Sequence, residues 1–449
     1  MGIRRGRSLR AVLAGSLVFG TVVVGSVIVG AVPASATTPT VVNCTTGGNL
    51  QTAITSAAPG STIVVHGTCT GNFTISENLT LQGSGTLSGT GFNGPVLTIN
   101  SGTVSVNNLT IKNGDNTSGY GGGGIFNEYG ATLSLTNSTV SGNTVTYDGG
   151  GIFSYGTLSL TNSTVSGNSA AFYGGGIFNE YGLTLTNSTV SGNTATYYGG
   201  GGIFNGYGLT LTNSTVSGNT ATHYDGGGIY NDFGTLTPTN STITGNSASQ
   251  GGGIYNVGGT ITQPTTDRGG VSINHNTASG DGGGLYNWGG TVSLSNATIN
   301  KNSAVDGGGV YNLFGDIYYV GTLTAGNTSV NNNTATGNGG GIDNEGGTVN
   351  LPDTTVNGNS AVNGGGVYND VYYGIVGSLT VSNTSINRNT ATGDGGGIDN
   401  NGGAVSLTTS VSVTSNTAVS GGGIYSTVVL SPPVPAGVVK NNVPDNIVD

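Results

Sequence analysis

Twelve times between Gly121 and Tyr425 the chain repeats three glycines, an aliphatic residue and usually an aromatic then Asn, as in Gly122-Gly123-Gly124-Ile125-Phe126-Asn127. The aliphatic markers run Ile125, Ile152, Ile177, Ile203, Ile229, Ile254, Leu285, Val310, Ile342, Val367, Ile398 and Ile424, spaced by 25 to 27 residues or by 31 to 32. A period of that size means one supersecondary unit per copy, which can bury its apolar side only against its neighbours.

Within a copy, apolar and hydroxyl residues alternate in short runs bounded by Gly and Asn, as from Gly182 to Ala195. That is strand periodicity. Three such runs per copy (Gly-Gly-Ile-Phe-Asn, Leu-Thr-Leu-Thr, Thr-Val-Ser) describe a coil that returns to its start. The expectation is an all-β chain: a right-handed, single-stranded parallel β-helix in which Ile177, Leu183, Leu185, Val190 and Ala195 point inward on one rung. The Asn of Ser-Gly-Asn, at Asn143, Asn168, Asn193, Asn219 and Asn246, reads as a corner ladder whose side-chain amides bond from rung to rung. The Asn-Ser-Thr triplets from Asn137 onward recur because a corner recurs, so they do not imply glycosylation. With about 4.8 Å per rung, fifteen or so rungs would extend on the order of 70 Å.

Glycine makes up 88 of 449 residues without a collagen period, and charged residues only 6%. Low-complexity disorder would not keep aliphatic residues in register over twelve copies. Residues 1–36 read as an export signal, with Arg4, Arg5, Arg7 and Arg10 before the apolar stretch Ala11–Val32, and Ala34-Ser35-Ala36 as the cleavage pattern. Its removal would leave five basic residues against 19 acidic ones, a net charge of −14, which repels nucleic acid and anionic lipid. Export permits a disulfide between Cys44 and Cys69; a reduced pair or a metal site is the alternative. Residues 37–112 read as an N-terminal cap with irregular first rungs, in which Leu50, Ile54 and Ala57 have the spacing of a short capping helix. Residues 113–430 are the regular repeats, and the Pro-rich segment 431–449 is the closing tail.

The chain resembles bacterial right-handed parallel β-helix repeat proteins of the pectin-lyase-like superfamily, especially those with polymorphic outer-membrane-type repeats. The residues that carry the resemblance are the Gly-Gly-Gly-Ile-x-Asn copies, the Leu-Thr-Leu-x-Asn-Ser-Thr-Val-Ser-Gly-Asn-Thr-Ala copies, and Leu50-Gln51-Thr52-Ala53-Ile54 followed by Gly60-Ser61-Thr62-Ile63-Val64-Val65. The resemblance implies the fold over nearly the whole mature chain. It leaves function open, because the superfamily holds polysaccharide lyases, hydrolases and adhesins. Its lyases typically bind calcium through clustered carboxylates and abstract a proton with a basic residue, and its hydrolases group several Asp with a His. The Asn-Thr-Asp, Asp-Asp, Gly-His-Gly and Arg-Ile-Lys motifs of the hydrolases are absent here.

For an enzyme the sequence offers Asp343 and Asp399, which replace the aromatic after the marker two repeats apart, with Asp394 beside the latter and Arg388 at a corner. Stacking would put the two Asp about 9.6 Å apart, near the upper separation of inverting glycosidase carboxylates. The alternative is that such Asp residues cap turns. Asp148, Asp225, Asp281, Asp306 and Asp394 precede the Gly triplets, so a structural Ca²⁺ between Asp281 and Asp306 is one reading and solvated loop carboxylates the other. No further cofactor is implied.

The aromatic residues invite a binding role. Phe126, Phe153, Phe178, Phe204 and Tyr230 alternate with inward aliphatics and are expected to point outward as a column, with Tyr129, Tyr155, Tyr181 and Tyr207 following a few residues later. Exposed aromatics stack on sugar rings, and an exposed strip marks an interaction site; like-on-like stacking that only stabilises the coil is the competing account. The expectation is therefore a secreted or cell-surface, monomeric, non-catalytic structural or adhesive protein, with an extracellular polysaccharide or cell-surface glycan as its partner. A polysaccharide lyase or glycoside hydrolase is the alternative. Ice binding by the Thr139, Thr164, Thr189, Thr215, Thr242 and Thr298 column is a third, weakened by insertions such as Gln263–Gly270 and Ile317–Gly321.

Overall fold

A computed structural model describes residues 38–117, 119, 121–264, 269–315 and 319–448. The expected export signal at residues 1–36 lies outside the described residues, as do parts of the insertions after Gln263 and around Ile317. The alternation read from the sequence becomes a right-handed parallel β-helix, the hand expected of parallel crossovers. In one rung the chain runs through Ile177–Asn179, Gly182–Thr186, Thr189–Ser191 and Thr194–Ala195, each strand pairing in parallel with its counterpart 26 residues on.

Four faces result where three were expected. We call them the aromatic face (Ile-Phe-Asn strands), the long face (five-residue strands), the Thr-Val-Ser face and the two-residue face. The last was hidden in the sequence because Thr-Ala is too short to show a period, yet it forms an 11-stranded ladder that begins at Asp115–Asn116. Ile177, Leu183, Leu185, Val190 and Ala195 are all buried, as expected. The aliphatic core runs without interruption from Val42 to Val438. Each fully buried aliphatic side chain contributes about 1.5–3 kcal/mol.

The corner asparagines form the expected ladder, and it is longer than the five copies first singled out. The Asn193 amide nitrogen donates to Asn219 Oδ1 at 2.9 Å and to the Val165 carbonyl at 3.1 Å, while its own Oδ1 accepts from the Asn168 amide at 2.9 Å and backbone N–H at 3.0 Å. The same pattern continues to Asn416 and Asn442. Each buried amide is thus satisfied by its neighbours, which is the condition for burying it. The turn before the ladder needs a left-handed backbone: Gly142, Gly167 and Gly192 have φ of 62–63°, and Lys301 and Arg388 adopt 53° and 55° at equivalent corners. Ser138, Ser163, Ser188, Ser214 and Ser241, the middle residues of the Asn-Ser-Thr triplets, form a further ladder with Oγ accepting the preceding rung's N–H at 3.1 Å.

The sequence reading did not identify another polar column. Asn179, Asn205, Asn231, Asn256 and Asn287, at the end of the aromatic-face strands, link Nδ2 to Oδ1 at 2.7–2.8 Å. Ser154 interrupts it. The Ser154 hydroxyl donates to the Gly156 carbonyl, which leaves Asn179 Oδ1 buried without a partner.

The glycine triplets are explained by the fit between rungs. A Cβ on Gly151 would come within 2.6 Å of the Gly176 carbonyl oxygen, and one on Gly150 would run into the Gly175 carbonyl. Backbone therefore packs directly on backbone between the two-residue and aromatic faces.

At the N-terminal end, Leu50–Ser56 forms the expected helix, with the Asn49 side chain accepting from Thr52 N–H at 2.9 Å and Leu50 and Ile54 buried against the first strands. Cys44 and Cys69 are joined in a disulfide with Cα atoms 5.2 Å apart. At the C-terminal end Val439–Lys440 and Ile447–Val448 add the last strands to the Thr-Val-Ser and aromatic faces. The long insertions do not share one side. The segments after Leu313 and after Tyr372 leave the corner between the aromatic and long faces, the second as an antiparallel hairpin, whereas the one after Thr262 leaves the next corner.

Asn193→Ala should cost on the order of 3 kcal/mol or more, since it orphans several buried groups. Amide hydrogen exchange should accelerate first in the rungs of Asn168 and Asn219. Ser154→Asn, which supplies the missing donor to Asn179, should raise stability by about 0.5–1.5 kcal/mol in denaturant unfolding.

Candidate functional site

The outward alternation of the aromatic face places Phe153, Phe178 and Phe204 in one column, with ring centroids 4.6 and 4.7 Å apart and nearly parallel planes. The column is stacked as expected but it is not an exposed strip. Phe153, Phe178 and Phe204 are buried, and Phe126 and Tyr230 half-buried. The covering groups come from both ends of the strand. Tyr173, just before a Gly triplet, lies 4.8 Å from the Phe204 ring, and Tyr155 packs edge-on against Phe153 at 4.7 Å. Both sides of this strand are therefore apolar interior, and the phenylalanines are a second small core rather than a contact surface.

The second set behaves differently. Tyr129, Tyr155, Tyr181 and Tyr207 line the corner between the aromatic and long faces and are 79, 42, 48 and 65% exposed. Tyr181 and Tyr207 stack at 5.7 Å with planes 5° apart. Phe233 and Trp288 extend the exposed series along the same corner. Among the described residues this corner combines large aromatic surface with solvent access, and it carries Glu128, Glu180, Asp232 and Glu345 as neighbours in the chain.

The carboxylates offered for catalysis take other roles. Asp343 sits in the aromatic column between Tyr311 and Tyr368, fully buried, and neither of its oxygens has a hydrogen-bond partner. Burial first, then the charges of Glu345, Asp306, Asp281 and Asp370, hold its carboxyl well above the usual range. Asp399 occupies the equivalent place between Tyr368 and Tyr425, 4% exposed, with one oxygen unpartnered. Its pKa is pushed up to about 7, mainly by burial and then by Asp394 and Asp370. Asp394 thus lies near Asp399, but Arg388 is exposed at the corner that follows the Thr-Val-Ser face. Asp343 and Asp399 are separated by the Tyr368 rung and covered. The expected quartet of Asp343, Asp394, Asp399 and Arg388 is not one open site, because the aromatic column that holds the two buried acids also seals them from a polymer.

The acids before the Gly triplets bind backbone. Asp148 Oδ1 accepts the Tyr173 N–H at 2.8 Å, and Asp306 Oδ1 accepts the Asn338 N–H. Asp281 and Asp306 precede Gly triplets on adjacent rungs, where Gly282 N–H donates to the Asp306 carbonyl, and burial, then the Asp306 charge, raises the Asp281 carboxyl to about 6. Two carboxylates are a thin ligand set for Ca²⁺, which takes six to eight oxygens. Among the described residues no three His, Cys, Asp or Glu side chains converge on a possible metal position.

Against known proteins, the model of the Chlamydia polymorphic membrane protein repeat matches residues 240–257, which run from a corner Asn through a Gly triplet into an aromatic-face strand. Among solved structures, the A-module of the mannuronan C-5 epimerase AlgE6 from Azotobacter vinelandii is similar at 14% identity and a TM-score of 0.29, covering 87% of this chain and 97% of that one. No curated protein matches. Among the described residues no helix is long and apolar enough to cross a membrane.

Phe178→Ala should cost about 3–5 kcal/mol, whereas Tyr207→Ala should change stability by no more than about 0.5 kcal/mol; thermal unfolding of the two variants separates the buried column from the exposed one. Asp399 gives a pH signature. Unfolded, its carboxyl titrates near 3.8 and folded near 7, so the unfolded chain releases the proton first. Stability should fall as pH rises from about 4 to about 7, by up to about 4 kcal/mol, and level off above. Asp399→Asn should remove that share of the slope in denaturant midpoints taken from pH 4 to pH 8.

Proposed function

We propose that the chain is a secreted, non-catalytic, monomeric β-helix that serves as a structural and adhesive protein of the cell surface or extracellular space and binds polysaccharide along the corner lined by Tyr129, Tyr155, Tyr181 and Tyr207. The observation that carries this reading is the exposure of that tyrosine series on a chain whose corner amides are engaged in ladders. Flat aromatic rings with a hydroxyl at the rim suit sugar faces and sugar hydroxyls together. The basic, apolar and small-residue pattern of residues 1–36 supports export. The repeat match at residues 240–257, to a family described as a polymorphic membrane protein, supports a surface setting.

Catalysis has less support, since the best-placed acids are covered and lack an open basic partner. Incubation with pectin, alginate and neutral and amino polysaccharides, with and without Ca²⁺, should give retention without new reducing ends or ultraviolet-absorbing unsaturated products. New ends or unsaturated products would overturn the non-catalytic reading. Absence of both retention and cleavage would overturn polysaccharide binding.

A further inference from the structure

The exposed tyrosine column has a gap with a defined shape. Strand register pairs Thr132 with Thr157 and Thr157 with Gly182. Counting back from that pairing, Gly156 stands where the next rung has Tyr181, and Tyr155 stands where the next rung has Glu180. Backbone bonds agree: Glu128 N–H donates to Ile99, Tyr155 N–H to Asn127 and Glu180 N–H to Ser154, so Glu128, Tyr155 and Glu180 follow one another on successive rungs.

The result is one short column of Glu128, Tyr155 and Glu180, beside which Gly156 stands where the next rung has Tyr181; the first rung's turn is two residues longer, so Ala131 registers with Gly156 and Tyr129 belongs to the extra length of that turn. Over Gly156 lies a cleft of about 160 Å³ lined by Tyr129, Tyr155 and Tyr181 above a floor of Gly130, Gly156 and Thr157. Its walls stand on rungs about 9.6 Å apart, twice the strand spacing. Two of them are fixed from behind, Tyr181 by stacking on Tyr207 and Tyr155 by its edge-on contact with Phe153. The gap cannot fill itself, because a Cβ on Gly156 would run into the Ala131 carbonyl oxygen and the Asn127 amide.

Charge sets the class of occupant. Glu128 and Glu180 stand on the rungs to either side of Tyr155 in its column, and burial, then the charges of Glu180, Asp148 and Glu128, hold the Tyr155 hydroxyl above its usual range. The described cationic side chains stand elsewhere: Lys112 on the Thr-Val-Ser face, Lys301 and Arg388 at the corner beyond it, Lys440 in the tail. Three aromatic rings and flanking carboxylates favour an ammonium group, held by ring faces and by ionic attraction. They disfavour a uronate.

We propose that the Tyr129–Tyr155–Tyr181 cleft binds the ammonium group of an amino-sugar polymer, a deacetylated hexosamine glycan. This deepens, and rests on, the polysaccharide-binding reading of the same corner. The polymer would run along the corner past Tyr207 while one amine enters the gap in the ring column.

Calorimetric titration of the full chain at low salt, with hexamers of glucosamine, N-acetylglucosamine, galacturonic acid and lysine, tests it. The glucosamine hexamer should bind at least about tenfold more tightly than the other three. The Glu128→Gln/Glu180→Gln variant, which keeps side-chain shape, should lose that margin, and Tyr129→Leu, at a highly exposed position, should weaken glucosamine binding with an unchanged melting temperature. Equal affinity for the acetylated and deacetylated hexamers would overturn the ammonium site and leave polysaccharide binding standing. Preference for galacturonic acid would do the same. Equal binding of the lysine hexamer, or no effect of the double Glu variant, would reduce the attraction to general charge and overturn the proposal. Failure of all three sugars to bind would overturn both readings.

Discussion

A buried asparagine amide that donates to the next rung and accepts from the previous one is the interaction on which the rest of this coil depends. Its two donors and one acceptor are satisfied only when successive rungs stand at strand spacing and in register, as at Asn168, Asn193 and Asn219. Once that corner is fixed, the adjacent turn must take a left-handed backbone and the Gly triplet must pass without side chains. The aliphatic residues then have one direction in which to point. Hydrophobic burial supplies most of the driving force and already opposes a one-residue slip, which would turn the aliphatic residues outward; the amides add to that penalty, because the same shift would leave buried polar groups unpaired.

The same stacking decides what a substitution means. Each rung contacts chiefly its neighbours, so a residue changed on one rung is felt on two others. Ser154 in the second asparagine column shows this on a small scale: its own hydroxyl is satisfied, and the cost falls on Asn179 one rung away. Asp343 and Asp399 show it more strongly. An aromatic column closes over whatever occupies it, and a carboxyl there loses water without gaining a donor. Keeping the proton is the least costly response, and the raised pKa values follow from that.

Much of the fold was legible because aliphatic period and corner Asn are both set by local geometry. The inward set Ile177, Leu183, Leu185, Val190 and Ala195, the asparagine corner and the Leu50–Ser56 helix follow from residue type and spacing, while the Cys44–Cys69 disulfide is one of the readings that export left open. What failed was the inference from alternation to exposure. Period-two reasoning assumes water on one side of a strand, whereas the aromatic-face strands are covered on both, by Ile177 and its neighbours within and by Tyr173 and Tyr155 outside. The cover comes from residues beyond the strand, whose positions depend on how two corners fold back, and no local pattern encodes that. The two-residue face escaped for a different reason, being shorter than any period.

The tyrosine corner illustrates why a candidate site can be invisible in a repeat that is otherwise easy to read. Ile152 and Ile177 both stand six residues before the first leucine of the long face, so the two turns have equal length. Within that fixed length the second rung places Tyr one position earlier than the third, after Ser154 rather than after Asn179-Glu180. Aligned by eye on tyrosine, the two copies look alike with one residue missing. Aligned by strand register, the tyrosine has moved into the glutamate column and a glycine has opened the ring column. A one-position exchange inside a turn therefore converts a uniform stack, in which each ring face is covered by the next, into a gap bounded by rings and flanked by carboxylates. Function in a solenoid of this kind is to be sought where a column is broken, because an unbroken column has already used its own surface on itself.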